Sequence, residues 1–329
     1  MKNLLQIAFT LIAVAAFSSL SHAEPEWWQR EGWNKTDFSK KSIDYKEIIS
    51  GGVPKDGILA IDQPKFIAAA SAIDIGDNEP VIGLSIDGKA RAYPLRILIW
   101  HEIVNDKLSG VPVTVTYCPL CNSAIVFDRR VGGQVLDFGT TGKLRNSDLV
   151  MYDRQSESWW QQFTGTGIAG EMTGVELKSI PARLEAFGLF KQRHPNGEVL
   201  VPNNPGFRDY GRNPYFNYDS AAQPFLFRGE MPKGINPMAR VIVFKHGGKP
   251  QAIAMKLLAE KKTLKLDDVE ISWTAGQNSA LDDTKISKGR DVGNVTVQKN
   301  TSSGLQDVVY DVTFAFVANA FHPGIAIQK

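Results

Sequence analysis

The chain has 329 residues, 43% hydrophobic and 22% charged, and its 37 Lys and Arg nearly balance 35 Asp and Glu for a net charge of +2. That balance, with no dense Lys/Arg run, argues against nucleic acid or an anionic membrane surface as the main partner. Two cysteines are too few for a disulfide scaffold, and about 300 residues beyond a leader can bury a core or two unaided.

Lys2 precedes an apolar stretch from Leu4 to Leu20, and Ser21-His22-Ala23 places small residues where a signal peptidase cuts. Residues 1–23 are expected to be a cleaved export signal, which makes the mature chain periplasmic or secreted. No later stretch has the roughly 18 uninterrupted apolar residues of a membrane span. Residues 24–50 form a lead segment whose Trp27, Trp28 and Trp33 are expected to pack on the body.

Residues 51–200 read as a β-rich domain. Val81 to Ile86, Asp87-Gly88 and Lys89 to Tyr93 predict a hairpin, since Asp-Gly suits a type I′ turn. Val111 to Thr116 is β-branched, Ala124 to Phe127 continues as a strand or one helical turn, and Gly132-Gly133 turns into Val135 to Phe138. Leu149 to Tyr152 and Ser158 to Phe163 predict a strand pair, and Gly165-Thr166-Gly167 a hairpin turn. Leu184 to Gln192 predicts a helix that stops at His194-Pro195.

Six prolines among residues 201–238, interleaved with aromatics such as Tyr210, Tyr215, Phe216 and Tyr218, predict an ordered connector without regular structure. Beyond it, residues 239–329 echo the first domain. Val241 to Lys249 resembles Val81 to Lys89, and Val269 to Trp273 followed by Asn278-Ser279-Ala280 resembles Val113 to Tyr117 followed by Asn122-Ser123-Ala124. His194-Pro195 and His322-Pro323 read as helix ends closing each unit. The expected fold class is α+β, mainly β, with two copies of one β-rich unit.

The two cysteines lie in Tyr117-Cys118-Pro119-Leu120-Cys121, after the Val111 strand, and the second copy has Thr274 and Gln277 in their places. A staple essential to the fold would be expected twice, so the motif reads as a site of the first copy. Three readings stand. In the first, Cys118 and Cys121 bind a soft ion, copper or zinc, with His101 as third ligand and Met151 as a thioether; Glu102 orients a ligand or faces solvent. Two cysteines and one histidine leave an open position, suited to delivery or catalysis. In the second, the pair is catalytic in thiol–disulfide exchange with a periplasmic protein partner. Against it, Asp128-Arg129-Arg130 follows too soon for the long helix that would lower a thiol pKa. In the third, the pair is a structural disulfide in a non-catalytic module. A hydrolase is disfavoured: Asp148, Asp153 and His101 with Ser147 or Ser158 supply triad residue types, but no Gly-x-Ser-x-Gly elbow is present. A Cys nucleophile with His101 as base ranks below exchange.

The stretches Gly51 to Ile58, Ala92-Tyr93-Pro94-Leu95, His101 to Asp106, Tyr117 to Cys121, Asn146 to Arg154 and Arg208 to Arg212 together resemble the family catalogued as domain of unknown function 3179. The resemblance spans most of residues 50–240 and implies an exported bacterial or archaeal protein without an established reaction. The second copy resembles that domain only in outline.

Overall fold

The computed structural model describes residues 25–329, so the expected export signal lies outside the described residues. The lead segment starts with α1 (Pro25–Arg30) and ends in β1 (Ile48–Ser50). Trp28 and Trp33 are buried with Phe38, Tyr45 and Trp159 in a compact aromatic cluster, while Trp27 is exposed. Ring centroids of Trp28 and Trp159 lie 4.7 Å apart, a tilted contact that aromatic quadrupoles favour.

After β2 (Lys65–Ala68), β3 (Pro80–Ile86) and β4 (Lys89–Pro94) form the expected hairpin. Asp87 and Gly88 both take positive φ, 49° and 78°, as a type I′ turn requires. α2 (Leu95–His101) leads to β5 (Ile103–Leu108), β6 (Val111–Cys118) and β7 (Ser123–Asp128), a meander with β6 in the middle. β7 settles the Ala124 to Phe127 alternative as strand. Gly132-Gly133 joins β8 (Arg130–Val131) to β9 (Gln134–Val135). A third sheet holds β10 (Phe138–Arg145), β11 (Asp148–Asp153), β12 (Trp159–Gln161) and β13 (Thr166–Ala169), with β1 on its edge beside β10.

β14 (Ser179–Ile180) extends the meander beside β7. The helix expected over Leu184 to Gln192 is shorter. Its first residues belong to β15 (Arg183–Ala186), and α3 runs Phe187–Arg193. Leu184 and Phe187 fit a helical spacing, but β3 offers an open edge and Leu184 pairs with Ile82 there, so pairing overrides local pattern. β16 (Glu198–Val201) then runs parallel to β4.

Residues 202–239 contain a 3₁₀ turn at Tyr218–Ser220 and otherwise follow the body as an irregular strap. The remaining elements are β17 (Arg240–His246), β18 (Lys249–Ala254), α4 (Met255–Lys261), β19 (Thr263–Leu266), β20 (Val269–Thr274), β21 (Asn294–Thr301), β22 (Gly304–Asp307), β23 (Tyr310–Phe314), α5 (Ala315–Phe321) and β24 (Ile327–Gln328). The sheet β23-β17-β18-β24 has the pairing of β15-β3-β4-β16, including a final parallel strand. His194 and His322 end α3 and α5 with nearly the same backbone, φ −133°, ψ 71° and φ −131°, ψ 72°.

The protein is mainly β, built from separate sheets around a shared core. One apolar cluster runs from Ile61 to Ala318, across both halves. The halves interlock: Ala124 N on β7 donates to Asp311 Oδ1 on β23 at 2.8 Å, and Ala186 N on β15 donates to Asn294 Oδ1 on β21 at 2.7 Å. Among the described residues no helix is long and apolar enough to cross a membrane.

Candidate functional site

β6 is buried along almost its whole length and delivers Cys118 at its end, paired with Ser123 of β7. Pro119 to Asn122 close the hairpin. Cys121 N donates to Cys118 O and Asn122 N to Pro119 O, each at 3.2 Å, and Asn122 takes φ 50°. Such a turn swings Cys121 back toward Cys118. The second half fixes it from outside: Thr313 Oγ1 (2.7 Å) and Phe314 N (3.2 Å) both donate to Cys121 O, and Asn122 Nδ2 donates to Val312 O at 2.7 Å.

The third member is Asp148, the first residue of β11. Asn146 and Ser147 just before it have φ of 53° and 67°, a tight turn that sets its carboxyl inward. Ligand atoms of Cys118, Cys121 and Asp148 all lie within 4.8 Å of one another, and all three residues are buried. Asp148 Oδ2 accepts from Gln161 Nε2 at 2.6 Å and Phe163 N at 2.9 Å, whereas Oδ1 has no hydrogen-bond partner. Both cysteines are free.

Burial dominates the electrostatics. It pushes Asp148 up to about 7 and raises both thiols, Cys121 well above the ordinary range. Glu102, across from Tyr117 on the adjacent chain segment, is pushed up to about 8, first by burial and then by the charge of Asp148. Among the described residues neither carboxyl forms an ion pair with a lysine or arginine, and none is among the main causes of either shift. The strap closes the front: Tyr218 OH donates to Leu120 O at 2.9 Å, and Ser147 Oγ donates to Phe225 O at 2.6 Å.

His101 does not join this group. Its Nδ1 lies 2.6 Å from Leu59 O and its Nε2 lies 2.8 Å from Tyr210 OH. A carbonyl can only accept, so Nδ1 carries the proton and Nε2 accepts from Tyr210. Desolvation lowers the His101 pKa, which favours that neutral form. His101 thus bonds Leu59 and Tyr210 of the strap, and the acid grouped with the two sulfurs is Asp148. Met151 is buried three residues along β11, paired opposite Thr140 and Trp160. It packs in the large apolar cluster that also holds Cys118 and Cys121.

The triad residue types are dispersed in other duties. Asp153 accepts from Ser156 N, Ser156 Oγ and Trp160 Nε1, so it holds a turn and a core indole. Sequence reasoning noticed Asp148 but assigned it to a turn. Its usable signal was an acid placed directly before the apolar run Leu149-Val150-Met151.

Fold and site together define a mainly β protein in which two interlocked halves enclose a buried Cys-Cys-Asp cluster. The chain belongs to the family described as "Protein of unknown function (DUF3179)", which matches residues 55–325. That match corrects the expected limit near residue 240: the second half lies within the family's domain. No curated protein and no solved structure matches the chain.

Proposed function

We propose that this is an exported protein that holds a divalent metal ion at Cys118, Cys121 and Asp148. The observation that carries the reading is the Asp148 carboxyl, which lies within 4.8 Å of two sulfur ligand atoms and whose buried Oδ1 takes no nitrogen or oxygen donor. Once ionised, the three donors would gather three negative charges out of water, with no ion pair to Asp148 among the described residues, which costs several kcal/mol unless an ion compensates. Zinc fits better than copper(I), because a carboxylate is too hard a donor for copper(I) while zinc accepts both thiolate and carboxylate.

Burial also shapes the role. A delivery site needs accessible sulfurs, but Cys118 is 2% exposed and Cys121 fully enclosed. The same enclosure raises both thiol pKa values, the reverse of what thiol–disulfide exchange needs. The reading that follows is a retained ion that either anchors the junction of the halves or works on a small molecule admitted past the strap. The matching sheet pairings support the view that the halves are copies of one unit, the second having lost the sulfurs and become a clamp for the first. The export-signal pattern of residues 1–23 supports action in the periplasm, where a protein partner remains part of the proposal.

The test is elemental mass spectrometry of the mature chain purified without chelator, beside a free-thiol count. About one zinc per chain, lost in Cys118→Ser and in Asp148→Asn, is expected. A wild-type chain that stays metal-free after equilibration with zinc(II) would sink the reading.

A further inference from the structure

The backbone position of Glu102 recurs in the second half, and the pair isolates what its side chain does. α2 and α4 are each seven residues long and end on a left-handed residue, Glu102 at φ 58°, ψ −31° and Lys262 at φ 63°, ψ −39°. Glu102 N donates to Leu98 O at 2.7 Å, as Lys262 N donates to Leu258 O at 2.8 Å. Tyr117 N donates to Glu102 O, and Trp273 N donates to Lys262 O, both at 2.8 Å. The fold therefore imposes this conformation twice, and glycine would meet it at least cost. Neither half uses glycine.

The side chains differ in fate. Lys262 is exposed and lays its Nζ 3.9 Å from the centroid of Trp273. Glu102 is buried at 8% exposure, and its carboxyl meets no hydrogen-bond donor or cation of the described residues. A carboxyl held in a left-handed residue, largely out of water and without a donor, is disfavoured on both counts unless a cation reaches it. It sits beside a place for one. Its backbone is bonded to Tyr117, the residue before Cys118, and its charge is felt by Cys118.

Cys118, Cys121 and Asp148 leave a tetrahedral ion one donor short. We propose that Glu102 supplies that donor: when a borderline divalent ion loads, the carboxylate swings in from outside the 4.8 Å group and closes the shell. This rests on the metal reading above and deepens it, because two thiolates with two carboxylates select zinc(II) or cobalt(II) over copper(I). The clamp half, with lysine at the matching position, has no such donor.

Cobalt(II) is the probe, titrated into the chelator-stripped mature chain and read by absorbance. The wild type is expected to show a thiolate-to-cobalt charge-transfer band with intense four-coordinate d–d bands. Glu102→Gln should keep the charge-transfer band, bind at least about 10-fold more weakly and show altered d–d bands. Glu102→Gly, which suits the left-handed backbone, should weaken binding likewise while urea unfolding of the metal-free chain shows no loss of stability. Unchanged affinity and d–d spectrum in both variants would overturn the role of Glu102. A wild type with no charge-transfer band would instead fail the metal reading itself.

Discussion

Replacing Asp148 with Asn removes a carboxyl whose pKa burial has pushed from 3.8 up to about 7. Because the folded value lies above the unfolded one, the folded chain keeps a proton that the unfolded chain has already released. The contribution of this group is complete below about pH 4 and is lost as pH rises through about 7. At about 1.36 kcal/mol per pKa unit, the metal-free chain at pH 8 is less stable than at pH 4 by on the order of 4 kcal/mol from Asp148 alone. Asn cannot ionise, and its carbonyl oxygen in the place of Oδ2 can still accept both bonds, from Gln161 and Phe163. Chelator-treated Asp148→Asn should therefore be about as stable as wild type near pH 4 and more stable near pH 8. Urea unfolding followed by tryptophan fluorescence measures this, since Trp159 and Trp160 are fully buried in β12, the strand that also carries Gln161. Parallel pH profiles for the two proteins would refute the reasoning. Zinc should flatten the wild-type profile, because an ion keeps the carboxylate ionised at no cost.

His101→Ala should leave zinc content unchanged while costing about 2 kcal/mol, since it removes the bridge between Leu59 O and Tyr210 OH; loss of the metal would return His101 to the ligand set. Tyr218→Phe removes the hydroxyl that donates to Leu120 O and accepts from Phe225 N. It should speed zinc loss to a chelator without changing the amount bound, and an unchanged rate would show that the strap does not limit exchange.

Much of the β architecture was legible because its signals are local. Asp87-Gly88 specifies its own turn, and the β-branched run before Cys118 specifies its strand. The site was only half legible. Cys118 and Cys121 announce themselves by being three residues apart, but Asp148 reaches them through the return of β11, a placement set by tertiary structure. His101 shows the same dependence on tertiary structure: its sequence position beside β5 puts it near the right strand, while the α2 helix end turns its ring toward Leu59 and Tyr210. The helix expected from Leu184 failed where an unpaired edge of β3 outcompeted a short apolar period. The reach of the family domain was also misjudged, because the second half keeps the pairing pattern while changing most of the side chains that advertise it.

The carbonyl of Cys121 accepts two donors, Thr313 Oγ1 and Phe314 N, from a strand nearly two hundred positions further along the chain. The motif is consequently not portable. Grafted into another hairpin, or expressed without the last ninety or so residues, the five-residue sequence would keep its sulfurs and lose the grip that orients them. Natural variation in the clamp strand should then act on the centre from a distance, through a single backbone oxygen.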